Sequence, residues 1–371
     1  MPASIKVLLN GIIDYAGTFP PASLPLEEAL SSYAAARRSA ENWLLGRLVL
    51  PAGSLDEFER LVSAADLDDI APLVVTAILG GDTSSQAQQL DAVVAFNKRL
   101  VGKAVIESVE FPPLSPANIR QVRPRVPGTL EPFFEVPVDA ELERRVGAIA
   151  LVGGSAKVRT GGVTPGAFPG PEDLARFIGS CDDAGIAFKA TAGLHHAVRG
   201  CYRLTYEAGS PESPMYGFLN ICLAAALVQA GAALEEVADA LGESSADAFL
   251  FREDALVWRQ RAIGTTALAE MRQRLFRSFG SCAIREPIDE QPQTPRIHRH
   301  LGNLASGRDQ RDHRAIRYRV GVVAAMSRGC DRAGPAVDNT AAPRHSPPVP
   351  TITTRDARPG QQQPSPRVRP A

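Results

Sequence analysis

Short apolar runs recur along the chain and alternate with longer stretches in which apolar positions return every three or four residues. The short runs read as buried strands and the longer stretches as amphipathic helices, the pattern of repeated strand–helix units on a parallel sheet. Strands are predicted at 5–13, 46–50, 72–79, 104–109, 132–136, 156–162, 186–193 and 278–284. Helices are predicted at 26–39, 54–64, 84–100, 139–146 and 171–184. Local punctuation agrees with these bounds. Pro51 stops the second strand, and Gly80-Gly81-Asp82 ends the third. Ser54-Leu55-Asp56-Glu57 reads as a cap with acidic residues in the first helical turn. Pro171 stands at a helix start, where its missing N–H costs nothing.

After residue 200 the alternation loosens into helices at 216–230, 233–241 and 266–276, with a short hairpin within 249–258. Eight strands in this order predict an α/β fold, a (βα)8 TIM-type barrel that is irregular in its last quarter. An open doubly wound parallel sheet is the alternative.

Composition changes the picture at one place. Residues 291–371 carry fourteen Arg, five Asp, eleven Pro and no Lys or Glu, a formal +9, which leaves about −10 for residues 1–290. The expected organisation is a barrel domain over 1–290 and a disordered Arg/Pro-rich C-terminal tail over 291–371, because the tail lacks the apolar surface to offset its chain entropy. Its charges are scattered, with only Tyr318 as an interleaved aromatic, so nucleic acid is not the expected partner.

No apolar run is long enough to span a bilayer and no secretory leader is visible, so the expected location is cytoplasmic, with no membrane partner. The five cysteines are widely spaced and form no CxxC pair, which predicts free thiols rather than a disulfide framework or zinc ribbon. A homo-oligomer is compatible with these data.

In such barrels reactive groups gather at the carboxyl ends of the strands. Asp14, Glu107, Glu110, Glu135, Lys157, Arg159, Lys189, His195 and His196 fall at those ends. Lys157 and Arg159 share one face of their strand, because side chains alternate. The chain has five lysines against 35 arginines, and two of the five, Lys157 and Lys189, occupy equivalent places in neighbouring units. Arginine binds anions at least as well, but only lysine sheds its proton to become a nucleophilic amine. Two ammonium groups on adjacent strands depress one another, which is what an imine-forming lysine needs. The plainer reading is that each lysine pairs with a barrel carboxylate and holds structure. His195 is the candidate acid–base group, and a metal-assisted isomerase or lyase would use it with Glu107 or Glu135. Asp14, Arg159, Thr160, Arg199 and His196, with the turns at Gly161-Gly162, Gly193 and Gly280-Ser281, are candidates to hold a small anionic or phosphorylated metabolite.

The segments Lys157-Val158-Arg159-Thr160-Gly161-Gly162 and Phe188-Lys189-Ala190-Thr191-Ala192-Gly193 resemble the two lysine strands of the class I deoxyribose-phosphate aldolase family, over residues 156–200. The resemblance implies a (βα) barrel in which Lys157 forms a Schiff base and Lys189 lowers its pKa, with Glu107, Glu110 or Glu135 in place of the family's catalytic aspartate. Arg159, the paired histidines and the helical stretch 201–277 depart from that family. The Asp14-Tyr15-Ala16-Gly17, Leu194-His195-His196 and Phe279-Gly280-Ser281-Cys282 segments also resemble an uncharacterised bacterial (βα)-barrel family. The leading expectation is a lyase of aldolase type using a lysine Schiff base, which calls for no cofactor and no metal. The rivals are the metal-assisted enzyme and a barrel that binds an anionic ligand without turning it over.

Overall fold

The computed structural model describes residues 1–289 together with 292–293 and 319–320. The chain starts with helix α1 (Ala3–Leu9), followed by strand β1 (Ile13–Tyr15) and helix α2 (Leu26–Arg37). Strand–helix units follow in register with the sequence pattern: β2 (Leu45–Pro51), α3 (Leu55–Ala64), β3 (Leu73–Ile78), α4 (Thr83–Arg99), β4 (Ala104–Phe111) and α5 (Pro116–Val122). Next come β5 (Glu131–Glu135), α6 (Leu142–Leu151), β6 (Ser155–Arg159), α7 (Pro171–Asp183) and β7 (Phe188–Thr191). A hairpin of β8 (Gly200–Arg203) and β9 (Glu212–Met215) then precedes α8 (Phe218–Gln229) and α9 (Leu234–Gly242). A three-stranded antiparallel sheet, β10 (Leu250–Phe251), β11 (Ala255–Trp258) and β12 (Arg261–Gly264), leads into α10 (Thr265–Arg274), β13 (Phe276–Ser281) and α11 (Arg285–Asp289). The residues described beyond this, β14 (Pro292–Gln293) and β15 (Arg319–Val320), pair antiparallel. The predicted tail over 291–371 otherwise lies outside the described residues.

Strands β1 to β7 and β13 form a closed, all-parallel barrel, so the open doubly wound sheet is excluded. The first predicted strand, 5–13, is corrected. Its apolar residues Ile5, Leu8 and Leu9 are buried at helical spacing on α1, and only Ile13 enters β1. A short apolar run does not by itself tell a helix from a buried strand. The hairpin within 249–258 is present but belongs to a third strand, β12, and the β8–β9 hairpin and α5 had no predicted counterpart.

Helix positions follow local chemistry. The Asp82 side chain accepts from the Ser85 N–H and caps α4, whose last turn carries Lys98 and Arg99 against the carbonyl end of the helix dipole. Pro116 and Pro171 open α5 and α7. The predominantly apolar α8 is buried on nearly all sides, as its composition requires, and its one buried polar residue, Asn220, is hydrogen-bonded to the Ala240 and Glu243 carbonyls.

The lumen is polar. On β6, Ala156 and Val158 pack outward into the apolar core, so Ser155, Lys157 and Arg159 face inward as the alternation predicts. On β4 a bulge intervenes: Val75 pairs with Ile106 but Thr76 pairs with Ser108, leaving Glu107 as the extra residue. Ile106, Val109 and Phe111 all join the outer core, and this change of parity is what turns Ser108 and Glu110 into the lumen. At the N-terminal end of the barrel, Arg47 lies 3.6 Å from both Glu107 and Glu131, and Arg277 lies 3.3 Å from Glu131.

No helix among the described residues is long and apolar enough to cross a membrane. Cys181, Cys222 and Cys282 are free thiols, as expected, whereas Cys201 is disulfide-bonded, which the wide cysteine spacing did not indicate.

Candidate active site

A cavity of about 400 Å³ opens at the carboxyl ends of the barrel strands, and Lys157 and Lys189 both line it. The two lysines are direct partners in the β6–β7 register. Glu110 stands between them: its Oε2 accepts from Lys157 Nζ at 2.9 Å and its Oε1 from Lys189 Nζ at 2.7 Å. Lys157 also reaches Glu135 Oε2 at 2.9 Å. Lys189 also donates to Asp14 Oδ2 at 2.6 Å. Asp14 in turn accepts from Ser278 Oγ at 2.7 Å and from the Arg47 backbone N–H at 3.0 Å. Lys189 and Asp14 are each 1% exposed, deeper than Lys157 at 6% and Glu135 at 16%. Lys157 and Glu135 are therefore the pair nearer the opening.

This cluster sets two cations against three carboxylates. Burial pushes the Glu110 carboxyl up, but the two ammonium groups override it and hold it at about 2. Burial pushes both lysines down, and here the carboxylates override it: Glu110 and Glu135 raise Lys157, and Asp14 and Glu110 raise Lys189. The expected depression of one amine by the other is thus corrected, and the plainer reading, in which each lysine pairs with barrel carboxylates, describes the contacts observed. Each lysine has two acids within hydrogen-bond reach, and these outweigh the like charge on the neighbouring strand. At rest both lysines are ammonium ions.

His195 lines the cavity from the loop after β7. Burial, with His196 adding to it, lowers its pKa to about 4, so the ring is neutral at pH 7. Its Nδ1 lies 3.3 Å from Ser281 Oγ and 3.5 Å from Glu286 Oε2. With a neutral ring, the Glu286 contact is not an ion pair at that pH.

Compared with known proteins, the chain matches no protein-family model and no curated protein. Among solved structures it is similar to one from Toxoplasma gondii ME49 described as a deoxyribose-phosphate aldolase, at 12% identity and a TM-score of 0.28, over 52% of this chain and 61% of that one. The apo form of that protein gives 13% and 0.29, over 52% and 66%. Nitroalkane oxidase from Streptomyces ansochromogenes gives 15% and 0.30, over 53% and 62%. The chain spans less than two thirds of each of these structures. Likenesses this remote assign no activity.

The other predicted site residues divide into two groups. Arg159, Gly162, Gly193 and Gly280 line the cavity with the lysines, Glu110, Glu135 and His195. The rest do not. Glu107 is on the bulge, 48% exposed beside Arg47, far down the strand from Glu110, which removes it from any site shared with His195. Asp14 sits beneath Lys189 and off the cavity wall. The Thr160 hydroxyl is spent on the carbonyls of Ala192 and Thr191, at 2.7 and 3.3 Å. Gly161 packs against Phe168. The His196 ring stacks on Tyr202, the Arg199 guanidinium lies over the Tyr216 ring, and Ser281 Oγ donates to the Ala283 carbonyl.

Sequence reasoning missed Ser278, which anchors Asp14, and Cys282, whose Sγ lines the cavity 4.0 Å from His195 Nδ1. Cys282 directly follows the closing strand, so its position at a strand end was the available signal; Ser278 lies within that strand and carried none. Burial raises the Cys282 thiol, so it stays protonated beside a neutral imidazole rather than forming a thiolate. Among the described residues no group of three or more His, Cys, Asp or Glu is arranged to hold a metal ion.

Proposed function

We propose that this barrel is a lyase of aldolase type that binds a small anionic carbonyl compound as an imine on Lys157. The observation that carries the reading is the placement of the Lys157 ammonium: it lines the cavity while touching Glu135, a partly exposed carboxylate able to take its proton. Lys189 is deeper and fully committed to Asp14 and Glu110, which suits it to hold charge and to fix Glu110.

The proton count closes on one acid. Lys157 passes a proton to Glu135, and the free amine attacks the carbonyl carbon to give a carbinolamine. Glu135 returns the proton to the departing hydroxyl, so water leaves and an iminium forms. Glu135 then takes the proton of a β-hydroxyl while the adjacent carbon–carbon bond breaks, its electron pair passing to the iminium to leave an enamine. Protonation of the enamine carbon by Glu135 and hydrolysis of the resulting iminium return the ketone or aldehyde and the Lys157 ammonium. The raised pKa of Lys157 makes the first transfer, along the Lys157–Glu135 hydrogen bond, uphill at rest, and attack of the freed amine on the carbonyl draws it forward. Arg159 and the backbone N–H groups near Gly162, Gly193 and Gly280 offer the anion a place on the cavity rim.

Borohydride reduction in the presence of short aldehydes and 2-oxo acids tests this. A stable adduct mapped by mass spectrometry to Lys157, and absent from K157R, is expected; the chain has only four other lysines to discriminate. Adducts confined to Lys6, Lys98 and Lys103, or no adduct, would remove the imine. Retained anion binding in K157R without any adduct in the natural chain would favour the ligand-binding barrel, which the charged resting state of both lysines also fits.

A further inference from the structure

The cavity wall is divided by strand order. The half built from β1 to β4 and their loops contributes ten lining residues, and among them Glu110 alone has a polar side chain. The half built from β5 to β7 and β13 supplies the lysines, Glu135, Arg159, Thr191 and His195. The apolar half has a particular construction. Phe19-Pro20-Pro21 follows β1 and Pro112-Pro113 follows β4, and between them Ile78 ends β3. Four of these wall residues are prolines, which have no N–H and little freedom to move. A face with no side-chain donor and with four backbone donors removed leaves a chain of hydroxyl groups only carbonyls and the Glu110 carboxylate as partners, and each hydroxyl stripped of water there without a partner is costly. The same rigid, preformed surface suits an apolar group.

We infer that the substrate carries an apolar aliphatic or aromatic substituent, laid against Phe19, Ile78 and the prolines, with its carbonyl at Lys157 and its anionic group toward Arg159. This rests on the imine reading only for where the carbonyl sits; the apolar wall recognises its substituent whether or not a bond forms. The substrate class is then an acid with a carbonyl and an apolar tail, and not a polyhydroxylated sugar phosphate.

Calorimetry with saturated straight-chain carboxylates, which cannot form an imine, tests the wall separately from the chemistry. Using the full chain, affinity should rise along acetate, butanoate and hexanoate by about fourfold per methylene buried. Phe19→Ser and Ile78→Ser, both partly exposed in the wall, should each reduce that gain per methylene while melting like the natural chain. A series flat in chain length, a gain untouched in both variants, or tighter binding of polyhydroxylated acids of equal length would overturn the assignment. A chain-length gain without any borohydride adduct would keep the wall and discard the imine. An adduct on Lys157 with a flat series would do the reverse.

Discussion

Lys157 and Lys189 face each other across two adjacent parallel strands and grip the two oxygens of a single carboxylate, Glu110. Two buried ammonium groups in neighbouring register positions repel each other, and the arrangement persists because three acids surround them. The electrostatics of the barrel interior are therefore a network, and removing one member exposes the rest.

Lys189→Met leaves Asp14 buried with its hydrogen bonds from Ser278 and Arg47 but no cation. The expected cost is about 3–5 kcal/mol, the usual penalty for orphaning one member of a buried pair. The double variant Lys189→Met with Asp14→Asn should be more stable than the sum of its single changes, because the uncompensated charge is gone. Denaturant unfolding of the four proteins measures the coupling.

Glu110 predicts how the fold responds to acid. Its carboxyl sits at about 2 in the folded protein against 4.5 ordinarily, so the unfolded chain binds more protons between those values. Its stabilising contribution is fully present above pH 4.5 and is lost as the pH falls toward 2. Glu110→Gln should lower stability at pH 7 and flatten its pH dependence within that window. Thermal melts at intervals of half a pH unit read both effects.

His195 titrates in the opposite sense to a paired histidine. Its folded pKa of about 4 lies below the ordinary 6.5, so the unfolded state takes up the extra proton and stability falls as the pH drops from 6.5 to 4. The imidazole resonances of His195 should titrate with a midpoint near 4, and His195→Gln should remove the matching slope in stability. A midpoint above 6 would mean that Glu286, 3.5 Å away, holds the ring charged.

Gly217 couples the cavity loop to α8. A Cβ there would stand 2.3 Å from the Ala197 carbonyl oxygen and from Val198 Cα, both backbone atoms that do not yield cheaply. The Phe218 N–H also donates to the His196 carbonyl across this contact. Gly217→Ala is expected to cost about 1–3 kcal/mol as an overpacked contact and to displace His195, moving its titration back toward 6.5. Unfolding and the same imidazole titration report the two consequences.

Much of this architecture is written in the chain. Seven of the eight barrel strands were predicted close to their observed places, since buried parallel strands read as compact apolar runs bounded by Gly and Pro. The exception, 5–13, is helical over Ala3–Leu9, because Ile5, Leu8 and Leu9 satisfy a helix as well as a strand. Lys157, Arg159 and Lys189 were legible as inward-facing because simple alternation holds on β6 and β7.

Residue pattern alone determined the succession of strands and helices, the two lysine strands and the shared face of Lys157 and Arg159, since these depend on local periodicity, while it left closed barrel and open sheet both possible. Tertiary structure decided the rest. The bulge at Glu107 turned Glu110 inward, and only closure of the ring brought β1 beside β13 and Asp14 within reach of Lys189, 175 positions away. Asp14 then joined Glu110 and Glu135, from the neighbouring β4 and β5, around the two amines, and these three acids raise the lysines where one amine was expected to be lowered. A charge's environment is a sum over neighbours distant in sequence, and no reading of local spacing contains that sum.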